Sequence, residues 1–267
     1  MLHRFLIVSK LPQEYKFIDL SDYGRTPARW IANSLKETRA TPVHLTLVFG
    51  IIGLLACYFI LRQYFILAGL LLILKSILDA ADGELARIKK TPSYTGRYLD
   101  SIFDILLNFL VLLSIWHITS SSIILFLLAF IGIQLQGTLY NYYYVILRNQ
   151  YQGDNTSRIN EKKTPRALPG EKQSHVNVLY HTFNILYRVF DQIIYFADRN
   201  ATQNQRFSNW FMTTVSALGL GFQLLIIALM LAFQLEHCIL HFFAAYTLAI
   251  PILIVMRRAL NKQKPVN

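Results

Sequence analysis

The stretch "LDAADGELARIKKTPSYTGRYLDSIFD", residues 78–104, holds Asp79, Asp82, Asp100 and Asp104 within 26 consecutive positions. The whole chain of 267 residues has only 15 acidic side chains. Both ends of the stretch run into long apolar segments. An aspartate at the centre of a membrane helix costs about 2.5–3.5 kcal/mol on an insertion scale. Four of them side by side require a compensating charge.

The composition explains why burial is at stake. Hydrophobic residues make up 54% of the chain, and its mean hydropathy is +0.37. Apolar runs reach the roughly 20 residues that a spanning helix needs, at about 43–61, 64–86, 98–118, 121–147, 208–233 and 237–256. The fold class read from them is an all-α polytopic membrane protein with six transmembrane helices. Residues 17–38 mix Trp30 and aliphatics with charges and suit an N-terminal interfacial helix. Residues 174–198 place Val176, Leu179, Phe183, Leu186, Phe190, Ile193 and Ala197 at spacings of three and four. They are read as an extra amphipathic helix between transmembrane helices 4 and 5.

The net charge of +11 has a topological explanation, so no nucleic-acid partner is expected. Of the 26 Lys and Arg, all but Arg62 and Lys75 fall in residues 1–42, 87–97, 148–207 and the tail after 256. Cytoplasmic loops carry the Lys/Arg excess. Both termini and the polar end of the 78–104 stretch are therefore expected on the cytoplasmic side. The layout is then a cytoplasmic segment 1–42, transmembrane helices 1–4 in 43–147, a cytoplasmic loop 148–207, helices 5–6 in 208–256 and a tail 257–267. The two cysteines, Cys57 and Cys238, lie in apolar runs and form neither a CxxC pair nor a disulfide framework.

On one helix Asp79 and Asp82 are three apart; on the next Asp100 and Asp104 are four apart; each pair shares a face. The loop between is short, so the two helices are antiparallel neighbours and the pairs can meet. Asp79 lies eight residues from Arg87 and Asp104 seven from Arg97, about 12 and 10 Å along a helix, which puts the pairs at matched depth. Four facing carboxylates do not all ionise without cations. Hard divalent ions take oxygen ligands, and the stretch has no His or Cys. The bland alternative is ion pairing with Lys75, Arg87 and Arg97. Gly83 and Gly96 flank the carboxylates and suggest close approach of backbone and ligand, and Arg87 suits a phosphate.

The spacing Asp79-x2-Asp82-Gly83-x2-Ala86-Arg87-x8-Gly96-x3-Asp100-x3-Asp104 resembles the signature of the CDP-alcohol phosphotransferase family at all eight positions. The six spans and juxtamembrane helix extend that resemblance over most of the chain. It implies a transferase that moves a substituted phosphate from a CDP-alcohol to an alcohol acceptor and releases CMP, in phospholipid biosynthesis. It implies two Mg²⁺ or Mn²⁺ ions on Asp79, Asp82, Asp100 and Asp104, with Asp104 a ligand or the catalytic base. Gly83, Ala86, Arg87 and Gly96 would line the CDP pocket. It also implies a homodimer. The donor expected is CDP-diacylglycerol; the alternative is a soluble CDP-polyol such as CDP-inositol, with a polyol phosphate or lipid acceptor. One departure stands out: Val43 follows Pro42 where family members often carry Asn.

A cation transporter is the non-enzyme alternative, since intramembrane aspartates also mark ion paths. The cluster near one surface and the lack of an inverted repeat weigh against it. A dead scaffold is disfavoured because no signature aspartate is replaced. For the acceptor, Lys75, Arg148, Arg188 and Arg206 are candidates by sidedness. The "YNYYY" run at 140–144 is expected to be an interfacial aromatic belt.

Overall fold

The computed structural model describes residues 11, 16–151, 163–203 and 207–262. Among them the regular structure is entirely helical. After a 3-10 turn at Leu20–Asp22 come α1 (Arg25–Leu35), α2 (Pro42–Leu61), α3 (Phe65–Lys89), α4 (Tyr94–Thr119) and α5 (Ile123–Gln150). Then follow α6 (Gln173–Ala197), α7 (Asn209–Ser216), α8 (Leu220–Ala232), α9 (Glu236–Tyr246) and α10 (Ala249–Lys262).

The boundaries follow local chemistry. Thr41 caps α2 by accepting from the His44 amide, the His44 ring accepts in return from the Thr41 amide, and Pro42 fills the first turn where no amide proton is needed. α3 stops at Lys90, which turns left-handed at φ 54° while the Thr91 amide bonds back to the Ala86 carbonyl. Pro92 then blocks continuation. Ser93 opens α4 by accepting from the Gly96 amide at 2.8 Å.

Four stretches are long and apolar enough to cross a membrane: α2, α4, α5 and the α9–α10 pair from Glu236 to Leu260. The α7–α8 pair qualifies as a fifth, bent by 48°. These mark a multi-pass membrane protein. The count differs from the six spans expected for two physical reasons. α3 is 25 residues long, but Lys75, Asp79 and Asp82 interrupt its apolar run. The 208–233 run is not one helix: it breaks at residues 217–219, before α8 starts again after Gly219.

α2, α3 and α4 pack as consecutive neighbours, with α8 against α3 and α9 against α5. Their shared core holds Ile60, Leu72, Leu112, Ile115, Phe126 and Leu231. α2 sits close to α4 because Gly50 offers no side chain; a Cβ there would lie 2.4 Å from the Phe103 ring. Leu47, Ile51, Leu54 and Tyr58 on the other side of α2 stay exposed, as a lipid-facing surface requires. α1 lies across α3 through Ala28, Ala32, Ala81 and Leu85.

α6 packs on α4 and α5, but not only by the apolar stripe read from its sequence. Val176 and Phe183 of that stripe do pack, whereas Ile193 is exposed. Tyr180, Tyr187 and Ile194 complete the buried contact, and Ile185, Val189 and Phe196 form a second apolar face turned outward. Aromatic side chains with polar tips take the inner face because α4 presents Tyr98 and a backbone carbonyl there. The expected tyrosine belt is corrected as well. Tyr142, Tyr143 and Tyr144 are buried, Tyr140 donates to Asp19 at 2.6 Å, and Tyr143 donates to Asp198 at 2.6 Å.

Candidate active site

The carboxylates meet as their spacing requires. Asp79 and Asp82 come from the second half of α3, and Asp100 and Asp104 from the first turns of α4. One carboxylate oxygen from each of Asp79, Asp82 and Asp100 lies within 4.8 Å of the others. That triplet could hold a metal ion. The Oδ1 atom of Asp100 is buried and accepts no hydrogen bond. A buried anionic oxygen without a donor is costly, and a hard cation is the partner that all-oxygen ligands fit. The residues present therefore suit a divalent ion.

Two side chains outside the signature engage these carboxylates. Thr46, on α2 and 1% exposed, donates its hydroxyl to Asp82 Oδ2 at 2.8 Å. Lys75, one turn before Asp79 and 2% exposed, donates from Nζ to Asp79 Oδ2 at 2.9 Å and also to Asp104 Oδ1. Its ammonium lies 4.6 Å from the centre of the Phe49 ring. The ion-pair alternative thus holds for Lys75 and fails for Arg87, whose guanidinium pairs with Glu84 at 3.1 Å. Arg25 and Arg29 of α1 approach the same Glu84 at 3.7 and 3.8 Å, so three arginines gather one to two turns from Asp82.

The glycines play different parts. A Cβ on Gly83 would meet only the Arg87 guanidinium, at 3.6 Å, so no backbone of this chain crowds that face. Ala86 is half-buried on the same helix. Gly96 serves the cap of α4, and a Cβ there would press on Ser93 Oγ at 3.3 Å.

Asp79, Asp100 and Asp104 line a cavity of about 1240 Å³ bounded by α3, α4, α5 and α6. Its wall also carries Arg97, Arg148, Arg188 and Lys163. Arg148 is 6% exposed, stands 5.1 Å from the Tyr144 ring centre, and keeps its Nε buried without a hydrogen-bond partner. Arg206 lies outside the described residues.

The segment after α5 grips α4 at two points. Glu171 accepts from Ser93 Oγ at 2.8 Å, the Thr95 amide at 2.7 Å and the Leu168 amide at 3.0 Å. Burial acts to raise its pKa, but these donors outweigh it and hold the carboxyl below the ordinary glutamate value. Tyr187 donates to the Ser101 carbonyl at 2.7 Å, between Asp100 and Asp104. Burial, then the carboxylates of Asp104 and Asp100, push the Tyr187 hydroxyl well above the usual tyrosine range, so it stays a donor. Reading the sequence missed Thr46, Tyr187 and Glu171. Only Thr46 left a trace, a hydroxyl inside the apolar run "HLTLVFG".

Comparison with known proteins agrees with this geometry. The chain is 36% identical over 107 residues to an archaetidylinositol phosphate synthase of Pyrococcus horikoshii, covering 38% of this chain and 57% of the relative. It is 40% identical over 72 residues to a bifunctional IPC transferase and DIPP synthase of Thermococcus kodakarensis, covering 27% of this chain and 16% of the relative. The matches thus span little more than half of one relative and a sixth of the other. The pattern of the CDP-alcohol phosphatidyltransferase family matches residues 39–168. That segment runs from the start of α2 through α5 and contains all four clustered aspartates, and through it the chain belongs to the CDP-alcohol phosphatidyltransferase family.

Proposed function

We propose that the protein is a membrane-embedded CDP-alcohol phosphotransferase of lipid synthesis. The observation that carries this reading is the signature carboxylate set forming one wall of a cavity whose opposite walls are basic. The donor is a CDP-activated membrane lipid such as CDP-diacylglycerol. The acceptor is an alcohol that bears a phosphate, of the polyol phosphate class; the relative named for archaetidylinositol phosphate synthesis and the buried Arg148 support this choice. A guanidinium matches phosphate oxygens in a fork, and Arg148 and Arg188 line the acceptor side. Lys75 is engaged by carboxylates and drops out as an acceptor contact.

In the reaction the acceptor hydroxyl oxygen bonds to the phosphorus that carries the donor alcohol. The bond from that phosphorus to the bridging oxygen of the diphosphate breaks, and CMP leaves with the bridging oxygen. Asp104 takes the hydroxyl proton. Asp79, Asp82 and Asp100 hold divalent ions, with Asp104 a ligand to one of them or the base. Two ions of the Mg²⁺ or Mn²⁺ type would neutralise the diphosphate and stabilise the attacking and leaving oxygens of the in-line displacement. Gly83, Ala86, Arg87 and Gly96 border the cytidine diphosphate, where Gly83 leaves room beside Arg87.

In the bilayer, α2, α3, α4, α5, α7–α8 and α9–α10 form six spans, with both termini and the site cytoplasmic. The Lys/Arg distribution supports that sidedness. α1 and α6 lie at the interface, and two copies pair through the membrane helices.

The test is metal-dependent CMP release in nanodiscs from CDP-diacylglycerol with inositol phosphate, glycerol phosphate or an unphosphorylated polyol. Release that needs Mg²⁺ or Mn²⁺ and a phosphorylated acceptor is the expected result. Release only from CDP-inositol would replace this reading with the soluble-donor one, which the relative named as an IPC transferase and DIPP synthase favours. No release with either donor would overturn both.

A further inference from the structure

The place of Lys75 bears on how the site fills. This argument rests on the metal-dependent reading above. The ammonium is buried between α3 and α4 and touches one oxygen each of Asp79 and Asp104. It has three donors and no lone pair, so it cannot share a metal's ligand sphere. The triplet that converges for an ion is Asp79, Asp82 and Asp100. Asp104 stands apart from that triplet and is tied to Lys75.

We infer that Lys75 is a built-in counter-charge that holds the place of the second cation, so that the protein alone takes up one divalent ion and accepts the second only together with a diphosphate. In two-metal sites the ions sit roughly 3.5–4 Å apart and share a bridging ligand. The carboxylates positioned to serve a second ion are Asp79 and Asp104, and Lys75 spans those two. The charges point the same way. Four ionised carboxylates and one ammonium leave the site with a formal charge of minus three. One divalent ion brings it to minus one, and a second would make it positive in a buried setting. The diphosphate of a CDP compound restores the negative charge. Lys75 is mounted on a flexible four-carbon stem, so it can withdraw from Asp104 when the second ion enters.

The experiment counts bound Mn²⁺ by electron paramagnetic resonance on the full chain in nanodiscs, with Mn²⁺ alone and with Mn²⁺ plus CDP. The wild type should bind one ion alone and two with CDP, the second pair showing Mn–Mn coupling. Lys75→Met should bind two ions without CDP, with the second at least tenfold tighter than in the wild type. Two ions of equal affinity in the wild type without CDP would overturn the inference. So would a Lys75→Met protein that still binds one ion. Lys75→Gln provides a second variant, and the wild-type count decides on its own if neither variant folds. A wild type that binds no Mn²⁺ under either condition would instead overturn the metal reading beneath the inference.

Discussion

Asp198 and Asp100 are both aspartates set against packed helices, but their surroundings differ in kind. Asp198 has no exposed surface. Its Oδ1 accepts from Arg257 at 2.6 Å and Arg258 at 3.4 Å, and its Oδ2 accepts from Tyr143 at 2.6 Å. Its backbone carbonyl takes the Tyr142 hydroxyl at 3.2 Å. One carboxylate meets two guanidiniums, and the cluster ties the end of α6 to α5 and α10. Asp100 sits among three other carboxylates with a single ammonium nearby, and its buried Oδ1 has no donor. A buried charge that serves structure is neutralised and hydrogen-bonded within the chain. The carboxylate cluster is left short of positive charge, and the shortfall faces a cavity large enough for a substrate.

The sharpest break in the comparison is catalytic. Asp104→Asn should lower CMP release by at least about 100-fold, the low end for loss of a general base, while the protein still folds. Retention of most activity would remove Asp104 from the chemistry. The next test concerns the closed cluster. Asp198→Ala leaves Arg257 buried without its partner, and such losses cost about 3–5 kcal/mol. A large drop in melting temperature should accompany any unfolding scan, with Mn²⁺ affinity at the other cluster unchanged in the folded fraction. Equal melting of variant and wild type would show that the cluster adds no stability.

The open cluster should respond in the opposite sense. Asp100→Asn removes a repelling carboxylate, so the metal-free variant should melt above the metal-free wild type. Mn²⁺ at a hundredfold excess over its dissociation constant should stabilise the wild type by about 2.7 kcal/mol and the variant far less. If metal-free Asp100→Asn melts lower, the cluster is not under-compensated.

The smallest effect lies at Glu171, which caps α4 from outside the family-matched segment. Its folded pKa is depressed, so its stabilising contribution is present at neutral pH and lost as pH falls through the folded value. Glu171→Gln should melt slightly below the wild type at pH 7, and the gap should close under acid conditions. A gap that persists at low pH would assign the difference to packing. The residue is partly exposed, and solvent screening keeps the effect small.

Much of this architecture was legible from local pattern. Apolar run lengths placed α2, α4 and α5 within a few residues, and the two acidic pairs fell on single helical faces because a helix repeats every 3.6 residues. The family signature could be read because its residues lie within one hairpin. The contacts that were not legible all cross between elements. Glu171 reaches Ser93 over 78 positions and Tyr187 reaches Ser101 over 86. The "YNYYY" run looked like a surface belt because its burial against Asp19, Asp198, Phe207 and Phe211 comes from segments far away in the chain.

By itself, then, the sequence determined an all-helical membrane chain, the pairing of four aspartates across one short loop, and a hard-cation chemistry for them. Periodicity and residue type suffice for those. Only the tertiary structure decided that Lys75 joins Asp79 to Asp104, that Thr46 holds Asp82, and that α6 closes the cavity with Tyr187 and Arg188. Helical geometry says which side chains share a face. Which partner stands opposite that face is set by how distant helices pack.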